Sequence, residues 1–285
     1  MKKILVVGAT NIDIVAKSYN PLKLYEKNPG QSLFSYGGVA RNICENLARL
    51  NLKLDFMTII GEDEIGKNAV SFLSDLNVNV LYKKSKLPTS TFISILNSES
   101  DNYISISSMD IVDELDEEYL NCYDFKDTDL IVSDANSTKV AKFLAKQNKK
   151  LFIDATSDAK VKHIKEILNS INYLKCTKTE MQKIFKTDDI MEVINKYPNM
   201  TIIITNKDHP VIFNDKTKII TKNVESVNVV NAIGAGDSFS AGIIYGLINE
   251  YNIEKCVEIA IKISAHSIQQ SETVSRKLNR KLIGE

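Results

Sequence analysis

The chain has 285 residues, of which 44% are hydrophobic and 25% are charged, values ordinary for a soluble globular protein with a sizeable core. Lysine plus arginine and aspartate plus glutamate each number 36, so the charge balance indicates neither a nucleic acid nor a membrane surface as partner. An anionic ligand must therefore be held by local geometry. Apolar runs also stay below the roughly 18 residues that a membrane helix needs.

From the N-terminus onward, short apolar runs alternate with segments of helical periodicity. The run KILVVG predicts a strand, and GVARNICENLARLN predicts a helix with Val39, Ile43 and Leu47 on one face. The alternation continues through LDFMTIIG, EDEIGKNAVSFLSDLN, DLIVSD, TKVAKFLAKQN, KLFIDA, NYLKC, KTEMQKIF and MTIIITN, and two helices around GDSFSAGIIYGLINE and IEKCVEIAIKISAHSIQQ complete the chain. This pattern predicts an α/β fold, a doubly wound and mostly parallel sheet with helices on both faces.

Two stretches interrupt this alternation. Residues 16–36 lack helical periodicity and contain Pro21 and Pro29, and residues 89–107 have apolar segments on both sides of the polar turn NSESDN. The second stretch predicts a hairpin, and the two together predict a small extra sheet. Such a sheet could be a lid over a ligand cleft, an oligomer contact, or both. Because the sequence contains neither an internal repeat nor a linker, we predict a single domain over 1–285 that carries this lid.

Cysteines and histidines give no pattern of a metal or catalytic cluster. The four cysteines never form a CxxC pair and predict reduced, mostly buried thiols in a cytoplasmic protein: Cys44, Cys122, Cys176 and Cys256. The three histidines are equally scattered, so neither a zinc cluster nor a Ser-His-Asp triad is indicated. At the N-terminus, the apolar run of MKKILVVGAT is too short for a signal-peptide core, which agrees with a cytoplasmic location.

The first polar motif is GATNID, at the end of the first predicted strand. It places Asn11 and Asp13 at the carboxyl edge of that strand, where ligands bind in open α/β sheets. The alternative interpretation is a polar turn without a ligand.

The second motif is a pair of glycines at the start of the first predicted helix. Gly37 and Gly38 allow close approach of a ligand to the backbone, and Arg41 and Asn42 follow as hydrogen-bond donors. The alternative is an ordinary helix start with solvated polar side chains.

The third motif, NAIGAGDSFSAG at 231–242, places three small residues directly before Asp237 at a predicted helix start. Asp is a favoured N-cap residue, which is one explanation. The other is that the exposed N–H groups of the helix start bind a phosphate and that Asp237 takes a proton beside it.

The order of these three motifs resembles the ribokinase-like family of sugar and nucleoside kinases, also called the PfkB family. The resemblance rests on GATNID, on GGVARNICENLARL at 37–50 and on GAGDSFSAG at 234–242, and it covers essentially the whole chain. Within the family, NPGQSLFSYGGVARNICENLA, TSTFISILNSESDNYISISSMDI and VSDANST are similar to the pseudouridine kinase branch. The resemblance implies a ribokinase-like fold with a β-sheet lid. It also implies transfer of the γ-phosphoryl group of ATP, with Mg²⁺, to a sugar hydroxymethyl oxygen, which in pseudouridine kinases is on C5 of the ribose.

The family pattern also implies roles for the matched residues. Asp237 matches the catalytic base, and an anion hole for the transferring phosphoryl group is implied for the backbone of Gly234, Ala235 and Gly236. Substrate contacts are implied for Asn11, Asp13, Gly37, Gly38, Arg41 and Asn42. Thr205 matches a nucleotide-binding threonine, and Glu180 matches an acid linked indirectly to Mg²⁺ and phosphate. Members of the family often dimerise through the lid, so a homodimer is the expected assembly.

Three segments depart from the family pattern. The NxxE motif reads TKTE, with Thr177 in place of the asparagine, and Lys207 and Pro210 occupy the glycine positions of the GxxG turn. Because proline fixes φ and lacks an N–H, the adenine-side loop is expected to differ. The run NAI before GAGD replaces residues that help ribokinases bind a monovalent cation, which leaves K⁺ dependence open. Two alternatives follow: a kinase of another sugar or nucleoside, and a degenerate kinase that binds its ligand without turnover.

Overall fold

The computed structural model describes residues 2–99, 102–135, 137–155 and 161–285. Within these residues, the larger sheet has nine strands: β1 (Lys3–Val7), β4 (Leu54–Gly61), β5 (Asn79–Ser85), β8 (Thr128–Ser133), β9 (Lys150–Asp154), β10 (Tyr173–Thr177), β11 (Thr201–Asn206), β12 (His209–Asn214) and β13 (Ile219–Lys222). Their spatial order is β13-β12-β11-β10-β9-β8-β1-β4-β5. All pairs from β11 to β5 are parallel, and β12 and β13 add an antiparallel edge. The predicted mostly parallel sheet is confirmed.

Helices cover both faces of this sheet, as the sequence predicts. They are α1 (Val39–Arg49), α2 (Glu64–Asp75), α3 (Glu117–Leu120), α4 (Thr138–Ala145), α5 (Val161–Lys165), α6 (Lys178–Phe185), α7 (Ile190–Lys196), α8 (Ala235–Ile248) and α9 (Ile253–Ser267). Alternate side chains of β1 enter two separate cores, because neighbouring strand residues point to opposite faces. Ile4 and Val6 pack with α1, α8 and α9, whereas Leu5 and Val7 pack with α4 to α7.

Helix α8 is buried almost throughout and lies against α9 at very short range. A Cβ on Gly242 would collide with the backbone of Ala260, and one on Gly246 would collide with Cys256. The two glycines therefore allow α8 and α9 to pack backbone against backbone. Helix α8 consequently has a fixed position in the core, and its N-terminus is fixed with it. In the described part of the chain, no helix has the length and apolar character needed to span a bilayer.

The two irregular stretches form a second sheet, which begins at Asn11 and thus five residues before the predicted segment 16–36. Its strands are β2 (Asn11–Ser18), β3 (Gly30–Gly37), β6 (Ser90–Leu96) and β7 (Asn102–Ser108), in the order β3-β2-β6-β7. Strands β6 and β7 are antiparallel, which confirms the predicted hairpin. The sequence interpretation of Asn11 and Asp13 needs correction: they lie on β2 and not in a turn at the edge of β1. Strand β1 ends at Val7, and pairing with β3 already begins at Asn11.

The register of the small sheet separates two faces of different character. Asp13 shares one face with Ser35 and Phe92, its partners on β3 and β6, and we call this the Asp13 face. The opposite face, here the isoleucine face, includes Ile12, Ile14, Phe34, Tyr36, Ile93, Ile95, Ile104 and Ile106. Only the part near the base of this face packs on the main domain, where Tyr36 meets Phe72 of α2. Phe34, Ile104 and Ile106 remain exposed.

Candidate active site

Asp237 lies in the first turn of α8. The N-cap of this helix is Gly234, with a φ of 80° that favours glycine, and a Cβ there would collide with Thr273. The interpretation of Asp237 as an N-cap is therefore wrong, since it is the third residue of the helix. Its side chain is buried, with only 8% of the residue exposed. A carboxylate in this position is stabilised by the positive end of the helix dipole.

The second motif meets the third at this carboxylate. The side-chain amide of Asn42, in the first turn of α1, donates to Oδ2 of Asp237 at 2.7 Å. Arg41 and Asn42 are both buried, so the alternative of solvated polar side chains at a helix start is wrong. Asn42 and Asp237, which belong to separate sequence motifs, are thus joined by a hydrogen bond in the fold.

A buried lysine that the motif analysis missed stands beside the same helix start. Nζ of Lys175 lies 2.9 Å from where a Cβ on Gly236 would be, and it donates to Asp154 at 3.0 Å. Ser240 also donates to Asp154, at 2.5 Å. Burial by itself lowers the pKa of Lys175, but Asp154 and then Asp237 raise it, and the net pKa is above its ordinary value. The lysine is therefore a fixed positive charge beside the N-terminus of α8.

Lys175 lies in the middle of β10, and Asp154 is the last residue of the neighbouring β9. Register pairs the two residues directly across β9 and β10. The available signal was one charged residue inside the run NYLKC and an aspartate after the apolar core of KLFIDA. Buried charges of opposite sign on adjacent strands stabilise each other only when they are close, which the sequence alone does not establish.

Asp13 lies where the glycine pair meets the small sheet. A Cβ on Gly37 would coincide with the carboxylate of Asp13, and a Cβ on Gly38, whose φ is 98°, would collide with the carbonyl of Ala9. Neighbouring protein atoms thus leave no room for a side chain at either position, whether or not a ligand is bound. Burial raises the pKa of Asp13 to about 6, and the guanidinium of Arg41 offsets part of that rise. Asp13 is a carboxyl group whose charge changes just below neutral pH.

Comparison with known proteins identifies the family. The model of the pfkB family carbohydrate kinases matches residues 1–279. The chain belongs to the pfkB family. It is an ATP-dependent kinase of sugars or nucleosides. Its ribokinase-like fold is shared with solved structures: the nucleoside kinase of Methanocaldococcus jannaschii (TM-score 0.86, 18% identity, 99% of this chain and 97% of that one) and a ribokinase of Thermotoga maritima (TM-score 0.82, 20% identity, 99% and 98%).

Relatives of known activity are similar at low identity. A guanosine-inosine kinase of Exiguobacterium acetylicum is 24% identical, with 95% of this chain and 96% of the relative covered. A pseudouridine kinase of Escherichia coli is 26% identical, with coverage of 84% and 82%. These relatives differ in acceptor, so membership of the pfkB family does not by itself select one.

In this pfkB kinase the altered NxxE motif is a complete helix cap. Thr177 is the N-cap of α6 and accepts from the amide of Glu180 at 3.2 Å, while Glu180 accepts from the amide of Thr177 at 2.7 Å. This reciprocal pair is a capping box. Threonine therefore does the capping that an asparagine would do there. Thr205 pairs with Thr177 across β10 and β11, so both hydroxyl-bearing residues lie at or next to the ends of neighbouring strands.

The altered GxxG turn remains a tight turn. Lys207 has a φ of 51°, the left-handed conformation that a glycine would adopt readily. The chain reverses over Lys207 and Asp208, and Pro210 lies near the start of β12, opposite an irregularity in the pairing with β11. A proline is tolerated there because the ladder is already interrupted. The loop expected to differ is thus a two-residue hairpin.

The family implies Mg²⁺, and the residues on the nucleotide side fit it. Among the described residues, no group of three or more His, Cys, Asp or Glu side chains is arranged as a metal site. Mg²⁺ in kinases is held by one or two carboxylates together with substrate phosphates and waters, so such a group is not needed. Glu180 is half-buried, is fixed through one oxygen by the amide of Thr177, and acts electrostatically on Lys175. Glu180 therefore has the chemistry for an indirect Mg²⁺ contact.

Proposed function

We propose that this kinase transfers the γ-phosphoryl group of ATP to the 5′-hydroxyl of a nucleoside, with pseudouridine as the first candidate. The observation that carries the proposal is the group formed by Asp237, Gly236 and Lys175 at the start of α8. It combines a buried carboxylate, helix amides and a fixed cation within one turn. Phosphoryl transfer requires a proton acceptor and stabilisation of anionic oxygens, and this group supplies both.

In the proposed reaction, Asp237 is the base. It accepts the proton of the acceptor hydroxyl while the hydroxyl oxygen forms a bond to the γ-phosphorus. The bond from that phosphorus to the β,γ-bridging oxygen breaks, and the bridging oxygen keeps the electron pair as ADP leaves. The hydrogen bond from Asn42 holds the carboxylate in one orientation before the acceptor arrives.

The transferring group would be stabilised by the start of α8 and by Lys175. The first amides of a helix have no partners inside the helix and carry the positive end of its dipole. The amide of Ala235 donates to the carbonyl of Ala232 at 3.3 Å, so we assign the larger part of the proposed anion hole to Gly234 and Gly236. Asp154, which also accepts from Ser240, already holds the lysine chain in place, so its charge needs little reorganisation during the reaction.

Mg²⁺ would be held by the phosphates of ATP, with Glu180 in indirect contact. When bound, it neutralises charge on the β- and γ-phosphates. Thr205, beside Thr177 at the strand ends, is the residue we propose for contact with the nucleotide.

The Asp13 face of the small sheet fits a nucleoside acceptor. Asp13 and Asn11 would bind ribose hydroxyls, and Phe92 is the direct partner of Asp13 in the neighbouring strand. An aromatic ring next to the sugar-binding acid can stack on the planar face of a base. The names of two relatives, a pseudouridine kinase and a guanosine-inosine kinase, support the same class of acceptor.

The isoleucine face supports the proposal of a homodimer through the lid. Phe34 is 69% exposed, Ile106 is 55% exposed and Ile104 is 49% exposed, all on one side of the small sheet. A contiguous apolar face of this kind marks an interaction surface. A second copy can cover it with the same face, which is self-complementary.

The experiment is a measurement of ADP release with ATP and Mg²⁺ over pseudouridine, uridine, guanosine, inosine, adenosine, ribose and fructose. The Asp237→Asn protein is the control, and binding is followed separately by thermal stabilisation. We expect turnover with pseudouridine and its loss in the control, with binding retained. Turnover with a different acceptor alone would change the substrate assignment. Stabilisation without turnover in the wild type would contradict the proposed activity and support a degenerate kinase.

A further inference from the structure

Helix α1 contains a row of buried charges that ends at the proposed base. Arg41 is paired with Glu45, and Glu45 accepts from Nε and NH2 of Arg49 at 2.9 and 2.5 Å. Arg41 is only 2% exposed and Glu45 is 4% exposed. Burying such ions is costly, and well-packed apolar side chains in their place are often neutral or stabilising. Stability alone therefore does not explain why these residues stand there.

Arg41 is connected to Asp237 through one intervening side chain, that of Asn42. NH1 of Arg41 donates to Oδ1 of Asn42 at 3.0 Å, and Nδ2 of Asn42 donates to Oδ2 of Asp237 at 2.7 Å. A guanidinium has only donors and a carboxylate has only acceptors. The amide between them is satisfied in one orientation. Turned by 180°, it would place its oxygen against the carboxylate and its NH2 group against the guanidinium.

Arg41 is itself held on several sides. NH1 also donates to the carbonyl of Tyr36 at 3.1 Å, and the guanidinium lies 5.6 and 5.5 Å from the ring centroids of Tyr36 and Phe72. Among the described residues, its buried Nε has no hydrogen-bond partner. A buried donor left unpaired costs free energy, which is acceptable where a side chain serves a site.

We infer that Arg41 is a positioning residue, which fixes the amide of Asn42 and through it the orientation of Asp237. This differs from the contact with substrate that the family resemblance implies for Arg41. The inference rests on the proposed function, in which Asp237 is the base. Its consequence is specific: loss of Arg41 should lower kcat through Asn42, while KM for ATP stays near the wild-type value.

The first test compares Arg41→Met with Arg49→Met. Each variant removes one guanidinium from Glu45, but only Arg41 touches Asn42. We expect Arg41→Met to lower kcat by about 10- to 100-fold, the size of effect that misplacement of a reacting group produces. Arg49→Met should stay within about twofold of the wild type, the level at which a residue outside the site is neutral. Equal effects of the two variants on kcat would refute the inference.

The second test asks whether Arg41 acts through Asn42. In an Asn42→Ala protein, adding Arg41→Met should lower kcat by less than about twofold more, because the intermediate contact is already gone. A further tenfold loss would refute the inference. If Arg41→Met does not fold, Arg41→Lys keeps the charge and loses the planar fork, and it should lower kcat at unchanged KM for ATP. An Arg41→Lys enzyme with wild-type kcat would overturn the inference.

Failure of the proposed function is recognised separately. If the wild type turns over no acceptor, or if Asp237→Asn is as active as the wild type, then the assignment of Asp237 is wrong and the inference falls with it. If the wild type is active, Asp237→Asn is inactive and Arg41→Met has normal kcat, only the role of Arg41 is wrong.

Discussion

Replacing Lys175 by Met should damage both the fold and the reaction, and the two effects can be separated. In the wild type, the carboxylate of Asp154 is fully buried and accepts from Lys175 at 3.0 Å and from Ser240 at 2.5 Å. The variant leaves that charge buried without its cation. Breaking one side of a buried pair costs about 3–5 kcal/mol. At about 2–4 °C per kcal/mol for a chain near this size, the Tm should fall by roughly 6 to 20 °C.

The double variant Lys175→Met with Asp154→Asn isolates the contribution to catalysis. The side-chain amide introduced by Asp154→Asn is uncharged and can still accept from Ser240, so most of the lost stability should return. Turnover should not return, because the cation beside Gly236 is still missing. We expect kcat to be about 100-fold below the wild type in both variants, the typical cost of one electrostatic contact to the transition state.

Calorimetric unfolding and ADP release on the same preparations provide the two readouts. An unchanged Tm for Lys175→Met would contradict the buried ion pair. Recovery of turnover together with stability in the double variant would show that Lys175 serves only the fold, and the proposed stabilisation of the phosphoryl group would be refuted.

Three other predictions concern pH, cations and assembly. The pKa of Asp13 is about 6 in the folded protein and 3.8 ordinarily, so between these two pH values the folded state binds more protons than the unfolded state. The free energy of unfolding should therefore fall as pH rises from about 4 to 6. Asp13→Asn should flatten this slope in pH-dependent denaturation. Asn231 donates to the carbonyl of Ser271 and accepts from the amide of Ile233, both at 3.0 Å, and the first of these bonds ties the loop before Gly234 to the loop after α9. We expect equal turnover in K⁺ and in choline salts. A strong K⁺ requirement would contradict this prediction. Ile106→Lys should convert a dimer to a monomer in sedimentation, with Tyr251→Lys, outside the small sheet, as the matched control.

The sequence predicted those parts of the fold that depend on local periodicity. The strand and helix order of the main domain follows from apolar spacing, and the hairpin of β6 and β7 follows from a polar turn between apolar runs. The start of β2 could not be predicted in this way. GATNID reads equally as a turn or as a strand, and its pairing with β3 over residues 30–37 decides the outcome.

The candidate site was predictable where bare backbone and an acid occur together, as at GAGD. The surroundings of that acid were not. Lys175 and Asp154 are charges in mostly apolar strands, and only the register between β9 and β10 makes them a pair. Arg41 read as a polar residue of a helix start, whereas Tyr36 and Phe72 enclose it. Burial of a charge depends on distant segments, so no local pattern shows it.

The small sheet joins the main domain through very short links, and this has a consequence for ATP hydrolysis in the absence of acceptor. Only residues 8–10 separate β1 from β2, and Gly38 alone separates β3 from α1. Asp13 therefore belongs to the small sheet, while Asp237 belongs to the rigid α8–α9 pair. On the proposed assignment, the acceptor is the molecule that joins them, with one end on each. A water molecule lacks the ribose hydroxyls that Asp13 would bind, so we expect ATP hydrolysis to be slow until the acceptor connects the two parts.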